Sequence, residues 1–287
     1  MATPSAQVTE KVREVARKVR GQPTSDGAGV RMTRVIGSQV LDSFDPFLLL
    51  DEFRSDNPND YIGGFPDHPH RGFETVTYML AGRMRHGDNQ GNSGLLGPGS
   101  IQWMTAGRGI VHSEFPEQQE GLMWGFQLWV NLPRTDKMTK PRYQDVQGDK
   151  IPEIELGPGA RARVLVGTVN GTSGPVDNVA TEPVYFDLHL EANANYTAEL
   201  PPGHNAFAYV YQGDAKIGAT STAIARGELA LLTQGASLPV AAGDTGARLI
   251  VVAARPLNEP IARYGPFVMN TPDEIRQAFA DYQAGRL

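Results

Sequence analysis

Glycine and proline decide what this 287-residue chain can fold into. Its 32 Gly and 21 Pro are spread along the whole length and cut it into short apolar segments, which favours strands over helices and over disorder. Phe47–Leu50, Thr75–Leu80, Ile101–Thr105 and Met123–Leu132 are such segments in the first half. Val184–Leu190, Ala206–Tyr211, Leu229–Thr233 and Leu249–Ala254 repeat the style in the second. Gly82 and Gly87 read as breaks after the strand at Thr75–Leu80. Near the start, Val8, Val12, Val15 and Val19 would suit a helix face, but the turn cluster Pro23–Gly27 and the strand-like Val30–Ile36 favour strand–turn–strand. Residues 1–12 are polar and read as loosely held.

The end of the chain changes character. Thr271-Pro272-Asp273-Glu274 supplies an N-cap, a proline at the first helical position and a capping-box glutamate. Ile275, Ala278, Phe279 and Tyr282 then form one apolar stripe, and Gly285 can stop the helix. The expected architecture is all-β with a C-terminal helix packed back on it. Pro133 to Pro158, with four prolines, many charges and little apolar periodicity, is the crossing between two halves, with a boundary near residue 140 (1–140 and 141–287).

An internal echo points to duplication. Gly99-Ser-Ile-Gln-Trp-Met-Thr-Ala-Gly107 aligns without gaps on Gly227-Glu-Leu-Ala-Leu-Leu-Thr-Gln-Gly235, and Leu80-Ala-Gly82 has a partner in Tyr211-Gln-Gly213. What the halves do not share is chemistry. His68-Pro69-His70 and His112-Ser113-Glu114 each carry two acceptors at period-2 spacing, so on extended chain both members of a pair face one side. If those strands are neighbours, three imidazoles and one carboxylate converge, a set that Zn, Fe, Mn, Ni and Cu all accept. Counting from Gly227 and Gly213 puts Val240, Ala242, Glu199 and Pro201 at the corresponding rear positions. No cysteine occurs, so thiolate sites and disulfides are excluded. His86, His189 and His204 read as structural or surface residues.

The blocks Phe65-Pro-Asp-His68-Pro-His70-Arg-Gly-Phe-Glu74-Thr-Val-Thr-Tyr78, Gln102–Ile110 and His112-Ser-Glu114 resemble the pirin family of the cupin superfamily, and Leu128–Leu132 and Gly265–Asn270 extend the likeness over nearly the whole chain. The resemblance implies two stacked cupin jelly-roll barrels with one mononuclear metal, usually iron(II), in the first only. Mn, Co, Ni, Cu or Zn would suit the same donors. Its ligands fall on His68, His70, His112 and Glu114. The usual cupin carboxylate slot is occupied by Glu74, which the resemblance makes a support for a ligand imidazole. Trp103, Met104, Trp124, Phe126 and Trp129 suit a barrel core, while Phe65, Met104 and Phe126 are candidates for the apolar wall of a substrate pocket. Arg71 beside the ligands suggests a salt bridge to a neighbouring carboxylate, ahead of the alternative that it holds an anionic substrate.

Some pirins resemble quercetinases, metal-dependent dioxygenases that cleave a flavonol with O2 and release carbon monoxide, and in that scheme Glu114 takes the proton of the 3-hydroxyl. Two other readings use the same ligands: a metal- or redox-responsive protein that regulates a transcription factor or metabolic enzyme, and a cupin isomerase. A net charge of −6 without a basic run argues against direct contact with nucleic acid or an anionic membrane. The longest apolar run, Leu249–Ala254, is too short to span a bilayer, and Met1-Ala-Thr-Pro-Ser lacks the pattern of a signal peptide, so a cytoplasmic monomer is expected.

Overall fold

The computed structural model describes residues 11–287. Of the segment expected to be loose, only Lys11 and Val12 fall among the described residues, and Val12 bridges Ser237. In chain order come β1 (Val15–Arg20), β2 (Gln22–Asp26), β3 (Val30–Ile36), β4 (Phe47–Ser55), β5 (Phe65–His70), β6 (Phe73–Ala81), β7 (Met84–Asp88) and β8 (Ser93–Leu96). β9 (Ile101–Thr105), β10 (Ile110–Pro116), β11 (Met123–Asn131), β12 (Arg142–Val146), β13 (Glu153–Gly157), β14 (Ala160–Val166), β15 (Thr168–Val169) and β16 (Thr172–Ser173) follow. The second half continues with β17 (Val184–Leu190), β18 (Asn195–Glu199), β19 (Asn205–Ile217), β20 (Thr222–Ala225), β21 (Glu228–Leu232) and β22 (Ser237–Ala254). A hairpin of β23 (Ala262–Tyr264) and β24 (Phe267–Met269) and the helix α1 (Pro272–Gln283) complete it.

The duplication heard in the sequence is built into the sheets. The front half has a seven-stranded sheet in the order β12-β9-β6-β11-β4-β3-β2; the main path of the rear sheet runs β1-β21-β19-β22-β17-β14-β13. The echoed segments, β9 and β21, hold the same place in each. A second front layer, β5-β10-β7-β8, corresponds to β18, the first part of β22, the end of β19 and β20. Each half is therefore a jelly-roll sandwich rather than a closed barrel. The edges are crossed between halves: β1 pairs with β21 of the rear sheet, and β12, beyond residue 140, pairs with β9 of the front sheet.

Several breaks read from glycine turn out to be bends. β19 and β22 run through both rear layers, with ladder irregularities at Val210/Gln212 and Gly213/Ala215, because a bulge kinks a strand without ending its pairing. Gly87 lies inside β7 for the same reason that short ladders tolerate glycine at reduced stability. Pro23 sits within β2, which the edge position of that strand permits, and the reversal comes later, at Gly27 to Gly29.

The two large sheets pack face to face. Alternation on β6 and β11 turns Val76, Tyr78, Phe126, Leu128 and Val130 toward Phe207, Tyr209, Tyr211, Ile250 and Val252 of the rear sheet, in one continuous buried cluster. The opposite face of the same strands, with Thr75, Thr77, Gln127 and Trp129, looks into the front sandwich. α1 begins as its capping box requires: Thr271 Oγ1 accepts from the Glu274 N–H at 3.3 Å, and Glu274 Oε2 accepts from the Thr271 N–H at 2.9 Å. Ile275 and Ala278 are buried with Phe267 and Met269 of the hairpin, Phe279 packs at the margin, and Tyr282, 39% exposed, meets the Phe267 ring at 6.3 Å. No helix among the described residues is long and apolar enough to cross a membrane.

Candidate metal centre

Three histidines meet at the edge of the front sandwich. β5 is an edge strand, the place where a sheet accepts the prolines at positions 66 and 69 because their missing N–H groups face outward. β10 pairs with it so that His112 lies opposite His68 and Ile110 opposite His70. Side chains at period 2 then share a face, and the rings of His68, His70 and His112 come within 4.4 to 5.0 Å of one another, centroid to centroid. One ring nitrogen from each lies within 4.8 Å of the other two.

The cluster has the electrostatics of a ligand set. Burial and the neighbouring imidazoles hold the pKa of His70 and His112 well below 6.5, so both rings are neutral, as ligation requires. His68 Nδ1 donates to the Pro66 carbonyl at 2.8 Å, which leaves its Nε2 as the acceptor. His112 is 1% exposed, and neither of its ring nitrogens has a protein partner. Nδ1 of His70 is also buried without one. Such orphaned imidazoles cost free energy unless something accepts their lone pairs, and a cation fits that need.

Glu114 stands two residues past His112 and shares a cavity with His68 and His70, but it is not one of the three residues that satisfy the mutual 4.8 Å spacing. The β5–β10 ladder slips between His112 and Glu114, which places Glu114 opposite Phe65. Its Oε1 accepts from the Thr77 hydroxyl at 3.3 Å, and burial raises its pKa. Thr77 also bonds Gln127 Oε1 at 2.7 Å.

Glu74 stands elsewhere. The chain turns a corner at Gly72, with φ of +86°, where any Cβ would collide with the Val268 carbonyl. Period-2 counting from His70 fails across that corner, and Glu74 faces the inter-sheet side together with Val76 and Tyr78. It accepts from Thr105 Oγ1 at 2.6 Å and makes no hydrogen bond to a ligand imidazole among the described residues. The corner is pinned by Lys137, a buried ammonium that donates to Gly72 O, Asn131 Oδ1 and Val268 O at 2.7 to 3.0 Å. Arg71 is held too, donating to the Arg108 carbonyl and, at 2.8 Å, to Asp281 of α1. The expected carboxylate partner thus comes from the far end of the chain.

Above the histidines opens a cavity of about 420 Å³, the size of a small-molecule site. Phe65 lines it, with Trp129, Phe53 and Met84. Met104 and Phe126 do not: Met104 shares the inner face of Thr75 but packs with Ala106 and Ile110, whereas Phe126 faces the rear sheet, because alternate residues of a strand face opposite sides. The mouth is edged by Arg263, Gly265 and Pro266 of the C-terminal hairpin, which no local motif could have assigned to this site. His86 is buried, bonds Asp145 at 2.6 Å and stacks on Tyr143. His189 bonds Asp187 at 3.0 Å, and His204 is buried; neither joins the cluster.

The rear half has the scaffold without the donors. Val240 and Ala242 occupy the positions of His112 and Glu114, as the count from Gly227 gives. Their ladder partners make Tyr196 and Ala198 the counterparts of His68 and His70, in place of Glu199 and Pro201, because the rear connection from that strand to Gly213 is longer.

Fold and site together define a two-domain cupin in which, among the described residues, only the front domain carries a histidine cluster able to hold a metal. Residues 29–130 match the Pirin family model and residues 185–287 the Pirin C-terminal cupin domain. This chain belongs to the pirin family. It is 50% identical to a Pseudomonas aeruginosa protein provisionally named quercetin 2,3-dioxygenase, over 96% of this chain and 99% of that one. It is 41% identical to human pirin, over 94% and 92% of the two chains. A crystal structure of quercetin 2,3-dioxygenase from Acinetobacter baumannii superposes with a TM-score of 0.89 at 32% identity, covering 96% of this chain and 98% of the other.

Proposed function

We propose that this protein is a metal-dependent dioxygenase that cleaves flavonol-like compounds with O2. The observation that carries the reading is the His68–His70–His112 cluster, in which buried nitrogens of His70 and His112 have no partner among the described residues, at the base of an aromatic-lined cavity. The names borne by the relatives from Pseudomonas aeruginosa and Acinetobacter baumannii support it. His68, His70, His112 and Glu114 would hold one divalent ion, iron(II) by the family resemblance, which when bound supplies Lewis acidity and a route for electrons to O2.

The chain's own residues do the rest. Phe65 presents ring surface to a planar polyphenol, Trp129 lines the wall beneath Arg263, and the apolar part of the lining keeps bulk water from the reacting ring. Glu114, whose buried carboxyl has a raised pKa, is suited to take the proton of a flavonol 3-hydroxyl and keep it. Thr77 lies against that carboxylate at 3.3 Å, and its hydroxyl is in turn positioned by Gln127 Oε1 at 2.7 Å. Ring cleavage consumes one O2 and releases carbon monoxide.

The test is incubation of iron(II)-loaded protein with quercetin in air, following loss of the flavonol absorption band and release of carbon monoxide. Turnover by the wild type and its loss in His112→Ala are expected. Absence of turnover with Fe, Mn, Co, Ni and Cu alike would overturn the enzyme reading and favour a metal-responsive regulatory protein.

A further inference from the structure

The mouth of the cavity carries a guanidinium that forms no salt bridge among the described residues. Arg263, on β23, reaches from the C-terminal hairpin over the front sandwich and lies above the Trp129 indole, 5.0 Å from the ring centroid. Trp129 in turn meets the ring of His70 edge to face at 5.1 Å. A single indole therefore separates the guanidinium from the histidine cluster. Nη1 of Arg263 donates to the Leu48 carbonyl at 3.0 Å, which fixes the plane of the fork.

The other charges around the cavity are already matched. Arg34 donates to both oxygens of Asp51 at 2.9 and 2.7 Å and also reaches Asp26 at 3.2 Å. Asp42 and Asp51 lie in the field of Arg263, yet among the described residues no carboxylate oxygen comes within 4.0 Å of its guanidinium. An arginine stacked on an aromatic face and anchored through one nitrogen keeps its remaining N–H groups in a planar fork, and such a fork matches a carboxylate.

We propose that Arg263 is the anion anchor of this cavity, so that the preferred substrate is a planar aromatic bearing a carboxylate-type oxyanion at the end remote from the histidines. The proposal rests on the front cavity being the substrate site and adds a second, charged point of recognition. It also makes the site a product of both halves, since the anchor comes from the C-terminal hairpin. Arg263 is itself exposed, so its selectivity is screened by salt.

The experiment compares two ligands on metal-loaded protein without oxygen: a flavonol with a carboxylate on its pendant ring, and the methyl ester of the same compound. Dissociation constants are read by calorimetry, so no turnover is needed. The acid is expected to bind roughly tenfold tighter than the ester at low salt. That ratio should shrink as salt rises, fall to near one in Arg263→Gln and return in part in Arg263→Lys. Equal binding of acid and ester by the wild type, a ratio unchanged in Arg263→Gln, or binding of neither ligand overturns the proposal. Quercetin turnover with an acid-to-ester ratio of one would sink the anchor alone. A tenfold ratio without any turnover would sink the dioxygenase reading alone.

Discussion

Glu74 shows how a single residue can resemble a ligand and do other work. It is 2% exposed, its Oε2 has no partner, and burial pushes its pKa up to about 7. The folded state thus keeps a proton that the unfolded chain releases near pH 4.5, and the stability from this group is lost as pH rises from about 4.5 through about 7. Glu74→Gln keeps the shape and the Thr105 contact while removing the titration. The variant should match the wild type in urea denaturation at pH 4 and exceed it by on the order of 2–3 kcal/mol at pH 8. An equal difference at both pH values would refute this account. Lys137 is the converse case, a charge kept inside because three oxygens converge on it. Lys137→Met should cost roughly 3 kcal/mol, since three acceptors lose their donor beside the corner that follows His70.

Among the elements, α1 carries two distinct kinds of information. Its start is local: Thr271→Ala removes the cap from the Glu274 N–H and should cost about 1 kcal/mol in thermal denaturation without touching the cavity. Its end is global. Asp281 receives Arg71, the residue after His70, while Arg71 also donates to the Arg108 carbonyl in the turn that leads to His112. One guanidinium therefore ties both histidine-bearing strands to the helix. Asp281→Asn should weaken metal binding about tenfold in competition with a chelator, with the far-ultraviolet circular dichroism unchanged. Undiminished affinity in that variant would reduce the contact to packing. The β5 strand depends on a different device, its edge position, which lets Phe65–His70 keep the ladder despite Pro66 and Pro69.

At the scale of the molecule, the two halves are joined by more than apolar contact. Tyr78 of the front sheet and Tyr211 of the rear donate to opposite oxygens of Asp187 at 2.8 and 2.7 Å. Trp124 and Tyr209 do the same to Glu52 at 2.8 and 2.6 Å. These bonds lie inside or beside the cluster that buries Phe126, Phe207 and their neighbours, so the halves have no separate hydrophobic cores to fall back on at this face. Exchange of β1 and β12 between the sheets adds a covalent reason for the same cohesion. Both halves are expected to unfold in one transition, with tryptophan fluorescence and circular dichroism giving coincident urea curves. Asp187→Ala should lower that shared midpoint by an amount worth roughly 3 kcal/mol, because it strands two buried hydroxyls. Two resolved transitions would show that the halves are independent.

Short-range physics made much of this legible in the chain itself. Period-2 spacing put His68 with His70 on one face, glycine and proline breaks marked the strands, the capping box fixed the start of α1, and the ordered echo of Gly99–Gly107 in Gly227–Gly235 disclosed the duplication. Each of those signals is carried by residues a few positions apart, where backbone geometry alone relates them. Corners and crossings broke the inference: the turn at Gly72 reversed the face of Glu74, alternation took Phe126 out of the cavity, and a longer rear connection shifted the counterparts of His68 and His70 to Tyr196 and Ala198. Arg263 at the cavity mouth and Asp281 behind the histidines belong to the same class, since only the packing of the C-terminal hairpin and helix against the front sandwich brings them there. The sequence by itself determined which side chains can ligate and which strands carry them; the tertiary structure decided which distant charges and rings surround them, because contacts made across sheets leave no periodic trace along the chain.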